Sequence, residues 1–131
     1  MKKILVLEND GGVALLLTQV LASRGYLVER VETGKDALER LGKGGVDLLI
    51  SDLFLSGIGG LEVIQAMEEG FPSLPVLVVS GFLENSVKAR LQSLRAVKGW
   101  LKKPFDLKEL LEKVDGILQE PGTGAGSGAK G

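Results

Sequence analysis

The chain has 131 residues, 44% hydrophobic and 25% charged, which is the balance of one globular domain with enough apolar side chain to build a core. Sixteen basic residues against seventeen acidic ones leave a formal net charge of −1, so bulk charge does not direct the chain to nucleic acid or to an anionic membrane. With neither cysteine nor histidine there is no disulfide, no thiolate nucleophile and no imidazole base, and any chemistry falls to carboxylates, hydroxyls, lysines and backbone groups.

The first apolar run, Ile4 to Leu7, is too short for a signal-peptide core, and no run approaches the ~20 residues of a membrane span. The expected location is the cytoplasm. Ile4 to Leu7 reads as a buried strand ending in the acidic turn Glu8-Asn9-Asp10, where Asp10 can cap the following helix. That helix carries Val13, Leu16, Leu17, Val20 and Leu21 at helical spacing and stops at Gly25. Tyr26 to Val31 reads as a second strand, and Thr33 opens a helix with Ala37, Leu38 and Leu41 on one face, ended by the glycines of 42–45.

Val46 to Ser51 is a third strand, nearly all apolar or small as befits a strand covered on both faces, and it ends in Asp52. Glycines at 57, 59 and 60 turn the chain, and Leu61, Ile64 and Met67 begin a third helix, broken at Phe71-Pro72-Ser73. A fourth strand ends at Ser80-Gly81, and Leu83, Val87, Leu91 and Leu94 make a weaker helical stripe. Val97 to Leu101 is a short fifth strand running into Lys102-Lys103-Pro104-Phe105. Asp106 then caps a helix with Leu107, Leu110, Leu111, Val114, Ile117 and Leu118. Five strands alternating with five helices predict an α/β fold, a parallel sheet with helices on both faces. From Pro121 on, five glycines in eleven residues and no side chain that could build a core predict a disordered tail, native or a cloning remnant, after a domain of residues 1–120.

In such a sheet the C-terminal strand ends share one edge, where open α/β folds bind ligands. Glu8, Asn9, Asp52, Ser80 and Lys103 all fall there. Each has a simpler reading: Asp52 as a turn residue, Glu8-Asn9 as a strand end, Ser80 as a turn serine before glycine, Lys102-Lys103 as a solvated pair. Together they have a chemical logic, because oxygen ligands suit Mg²⁺ and a carboxylate such as Asp52 can attack a phosphoryl group whose charge Lys103 and Ser80 stabilise.

The segments ILVLEN, SDLFLSGIGG, VVSG and WLKKPF, in this order, resemble the receiver domain of two-component response regulators, of which the single-domain chemotaxis regulator is a familiar member. The resemblance spans residues 3 to 119 and implies the strand order 2-1-3-4-5. It implies that Asp52 is the phosphoacceptor, that Lys103 and Ser80 contact the phosphoryl group, and that Glu8, Asn9, Asp52 and the backbone carbonyl of Phe54 hold Mg²⁺. It further implies that Ser80 and Trp100 form a switch pair, although Trp100 is also well suited to static packing. Phe54 and Phe82 occupy the two positions flanking the route of water to the phosphoryl group; if their rings cover it, a long-lived phosphoryl group is expected. Asn9 stands where the family usually has an acid, which removes a carboxylate from the metal site unless Asp10 compensates. Ser56 stands where a proline is common.

The implied function is to accept a phosphoryl group from a histidine kinase or a histidine phosphotransfer protein and to catalyse that transfer and the later hydrolysis. A downstream protein target is the implied output. No direct nucleic-acid or membrane contact is expected, and the expected state is a monomer or weak homodimer. The alternative is a phosphorylation-independent receiver-like interaction module whose metal site Asn9 has weakened.

Overall fold

A computed structural model of the chain describes residues 1–53, 59–71 and 73–119. The strands are β1 (Lys3–Leu7), β2 (Leu27–Val31), β3 (Leu48–Ser51), β4 (Val76–Ser80) and β5 (Val97–Lys102). They alternate with α1 (Gly11–Ser23), α2 (Gly34–Gly42), α3 (Gly60–Gly70), α4 (Asn85–Gln92) and α5 (Leu107–Leu118). All neighbouring strands pair in parallel, in the order β2-β1-β3-β4-β5, so the expected fold is the one found.

The period of two along a strand sends alternate residues to opposite faces, and here both faces are apolar. Ile4, Val6, Leu48, Ile50, Leu77 and Val79 share one core with Leu17 and Leu21 of α1 and Leu110 and Val114 of α5. Leu5, Leu7, Leu49, Val76 and Val78 share the other with Ala37 and Leu41 of α2, Val63, Ile64 and Met67 of α3 and Leu91 of α4. One correction concerns α1. Its buried row is Ala14, Leu17 and Leu21, while Leu16, expected on the inner face, is 40% exposed and its neighbour Leu15 58% exposed. Leu16 lies one residue, about 100° of helix, from Leu17, so it cannot share the centre of the face that Leu17 and the small Ala14 set against the sheet. Leu107, at the first turn of α5, is likewise 37% exposed. Leu83 is buried but precedes α4, and Leu94 follows its end, which explains why that helical stripe was weak.

Helix starts follow the sequence. Asp10 accepts from the N–H groups of Gly12 and Val13, Thr33 from that of Asp36, and Asp106 from that of Lys108. Gly25 ends the α1 turn with φ +94°, a region side chains rarely adopt. Two side-chain clusters tie elements together. Glu29 of β2 accepts from Arg40 of α2 and Lys3 of β1, and these bonds, that of Arg40 foremost, lower its pKa to about 2. With the Glu29 side chain 40% exposed, solvent screens this cluster and it adds little to stability. Asp115 of α5 accepts from the Tyr26 hydroxyl at 2.5 Å and from Arg24, while burial, followed by this bond, raises the Tyr26 pKa to about 12.

The start of α3 is placed by contact with the end of β3. A Cβ on Gly60 would lie 2.2 Å from the Asp52 carbonyl oxygen and 2.7 Å from the Leu53 Cα, and the Gly60 N–H donates to the Leu53 carbonyl at 3.0 Å. Only glycine fits there. Gly60→Ala should therefore lower stability by roughly 1–3 kcal/mol through forced backbone movement. Denaturant unfolding checks this, and an unchanged midpoint would contradict the close approach.

Candidate functional site

Because every strand is parallel, the ends of β1, β3, β4 and β5 open on one edge. Glu8 follows β1, Asp52 follows β3, Ser80 closes β4 and Lys103 follows β5. Backbone bonds continue the ladders past the strand ends: the Asp52 N–H donates to the Leu7 carbonyl at 3.1 Å and the Lys103 N–H to the Ser80 carbonyl at 2.9 Å. The side chains carried there are polar and yet buried, Glu8 to 2% exposure, Asp52 to 8% and Ser80 to 0%.

A buried carboxylate requires compensation. Lys103 provides it for two at once, its Nζ lying 2.7 Å from Glu8 Oε1 and 3.0 Å from Asp52 Oδ2. The remaining oxygens are also engaged. Asp52 Oδ1 accepts from the Leu53 N–H at 2.6 Å and Glu8 Oε2 from the Asp10 N–H at 3.1 Å. Burial works to lower the Lys103 pKa, but the bonds to Glu8 and Asp52 outweigh it and hold the ammonium above its ordinary value. Lys103 is therefore charged. The Ser80 Oγ accepts from the Phe82 N–H at 3.3 Å, and its own hydrogen remains a donor.

The structure thus brings Glu8, Asp52 and Lys103 into direct contact and sets Ser80 on the strand between β3 and β5. Asn9 is exposed at the rim. The Asp10 carboxylate caps α1 through Oδ1. The Phe82 ring is half exposed, whereas Phe54, Ser56 and the tail from residue 121 lie outside the described residues. Trp100 is half-buried against the core on the α2, α3 and α4 side, and it lines a cavity of about 420 Å³ with Lys98, Gly99 and Lys113. The peptide between Lys103 and Pro104 is cis.

Two carboxylates against one ammonium leave a net negative, all-oxygen cluster, which fits a hard divalent cation such as Mg²⁺. Among the described residues no group of three or more acidic side chains that could hold a metal ion forms. Two residues of the site were not singled out from the sequence. Gly60 reads in the sequence as one turn glycine among several, and Arg30 falls within the second strand with nothing to mark it. Arg30 in fact donates to the Glu8 carbonyl twice, from Nε at 3.0 Å and Nη2 at 2.9 Å. The signal for Gly60 was its place at the start of a helical stripe; for Arg30 there was none without the strand register.

Comparisons with known proteins place the sequence and the fold in one family. A family model described as the response regulator receiver domain matches residues 4–115. The chain is 33% identical over 130 residues to the response regulator MprA of Mycolicibacterium vanbaalenii, covering 97% of this chain and 55% of that protein. It is 30% identical to the response regulator receiver protein CpdR of Brucella abortus, covering 90% and 98%. The chain thus spans about half the length of the MprA-type relatives and nearly all of the CpdR-type one. Among solved structures, a putative response regulator from Chloroflexus aurantiacus matches with a TM-score of 0.83 at 30% identity, covering 91% of this chain and 98% of that one. The response regulator TrrA of Thermotoga maritima, solved in complex with Mg²⁺ and BeF, matches with a TM-score of 0.81 at 30% identity, covering 90% and 100%. On the match of sequence and fold, the chain belongs to the response regulator receiver domain family.

Proposed function

We propose that this receiver domain takes a phosphoryl group from a phosphohistidine partner, a histidine kinase or a histidine phosphotransfer protein, onto Asp52. The observation that carries this reading is the Lys103 ammonium held between Asp52 and Glu8 at the strand edge. An Asp52 oxygen attacks phosphorus, the new O–P bond forms as the P–N bond to the donor imidazole breaks, and the imidazole leaves with a proton. Lys103 shifts its pairing to a phosphoryl oxygen, and the Ser80 hydroxyl donates to another. Glu8, Asn9 and Asp52 would hold Mg²⁺, which supplies neutralising charge to the phosphoryl oxygens when bound. Phosphorylation adds roughly −1.5 to −2 charges at this edge. Drawing Ser80 toward them opens room for Trp100 between β4 and β5, so that the face of α4, β5 and α5 changes its affinity for a downstream protein.

Phosphorylation by a small-molecule phosphodonor tests the acceptor. Asp52→Asn should abolish incorporation of phosphate, and incorporation at the parent rate would overturn the assignment. The metal site has its own test, because Asn9 leaves two carboxylates where the family usually supplies three. Asn9→Asp should tighten Mg²⁺ binding several-fold in a titration, and an unchanged affinity would remove Asn9 from the metal site.

A further inference from the structure

β2 is an edge strand, and its last ladder bond to β1 is donated by the Glu8 N–H to the Val31 carbonyl at 3.2 Å. Beyond that bond no strand among the described residues donates to the Glu8 carbonyl. Arg30 stands opposite Val6 in the register, two residues behind Glu8, which is the reach its side chain needs to place both Nε and Nη2 on that single oxygen. The guanidinium plane thereby fixes the orientation of the Glu8–Asn9 peptide. That peptide joins the carboxylate paired with Lys103 to the amide at the rim of the site.

We infer that Arg30 is a positioning residue for the metal-binding loop: its two bonds to the Glu8 carbonyl hold the Glu8–Asn9 peptide in the orientation that presents both side chains to a divalent cation. The inference rests on the proposed role of Glu8 and Asn9. Glu8 is almost wholly buried, so its carbonyl needs a donor, but one donor meets that need and it does not by itself explain a two-bond fork. Charge attraction does not explain it either, since a cation beside a cation site opposes metal binding. Here that opposition is moderated by Glu32, whose carboxylate lies 3.9 Å from the Arg30 Nη1. A site with one acid fewer than usual depends more on the placement of the ligands it has, and a partner that orients a ligand commonly changes metal affinity by about tenfold or more.

The test uses the full chain and two variants, Arg30→Met, which removes both the fork and the charge, and Arg30→Lys, which keeps the charge and loses the fork. Backbone ¹⁵N relaxation of the metal-free protein should show the Asn9 and Asp10 amides as ordered as β1 in the parent and more mobile in both variants. Mg²⁺ titration should give dissociation constants raised roughly tenfold in both. The melt of Arg30→Lys, which keeps one donor for the buried carbonyl, should stay close to the parent, and this separates positioning from a general loss of stability. Unchanged amide mobility, or unchanged Mg²⁺ affinity in the variants, would overturn the inference. So would tighter Mg²⁺ binding by Arg30→Met alone, which would show that charge and not placement is what Arg30 contributes. A parent that binds no Mg²⁺ would instead sink the proposed metal role and the function given to Arg30 with it, while the metal-free relaxation would still report whether Arg30 orders the loop.

Discussion

One ammonium shared by two buried carboxylates is the constraint on which the functional edge of this domain depends. Glu8 and Asp52 come from neighbouring strands and carry like charges into a setting where each is almost shielded from water. Lys103 comes from β5, beyond β4, and reaches over Ser80 to pair with both. Such a cluster is a weak source of stability, because desolvation cancels much of the Coulombic gain, but removing its cation leaves two uncompensated charges. Its value lies in exchange. Under the proposed function a divalent cation would take over the carboxylates and a phosphoryl group the ammonium, so that the same three side chains would serve the resting and the modified states.

The backbone around the cluster is held by contacts of another kind. Gly60 lets α3 begin directly against the Asp52 carbonyl, and Arg30 fixes the peptide after Glu8. The two carboxylates therefore sit on strand ends whose backbones are pinned from both sides. The opposite flank is anchored less. In α4 only Leu91 is fully buried and the first turn lacks a side-chain cap, while the adjoining Trp100 borders open space. A change of state at the strand edge meets least resistance on that flank.

Much of this was legible in the chain. The switch from strand runs to helical spacing marked every element, and parallel topology alone brought Asp52, Ser80 and Lys103 to one edge. The strand order came through the family resemblance, since periodicity does not fix which strands are neighbours. What could not be read depended on atoms far apart in sequence. Arg30 gains its meaning only from the register of β2 against β1, and Gly60 from the distance to Asp52. Asp10 could be cap or ligand, and its carboxylate is found on the N–H groups of α1. Leu16 and Leu17 are equally apolar, and composition could not say which of the two faces the sheet.

In the proposed function Asp52, with Lys103 beside it and a Mg²⁺ site at Glu8 and Asn9, accepts a phosphoryl group. Beryllofluoride mimics that group on an aspartate, and ¹⁹F NMR reports its binding directly. A bound resonance, one equivalent per chain, should appear only when Mg²⁺ is present. No bound resonance at saturating Mg²⁺ and beryllofluoride would contradict that function.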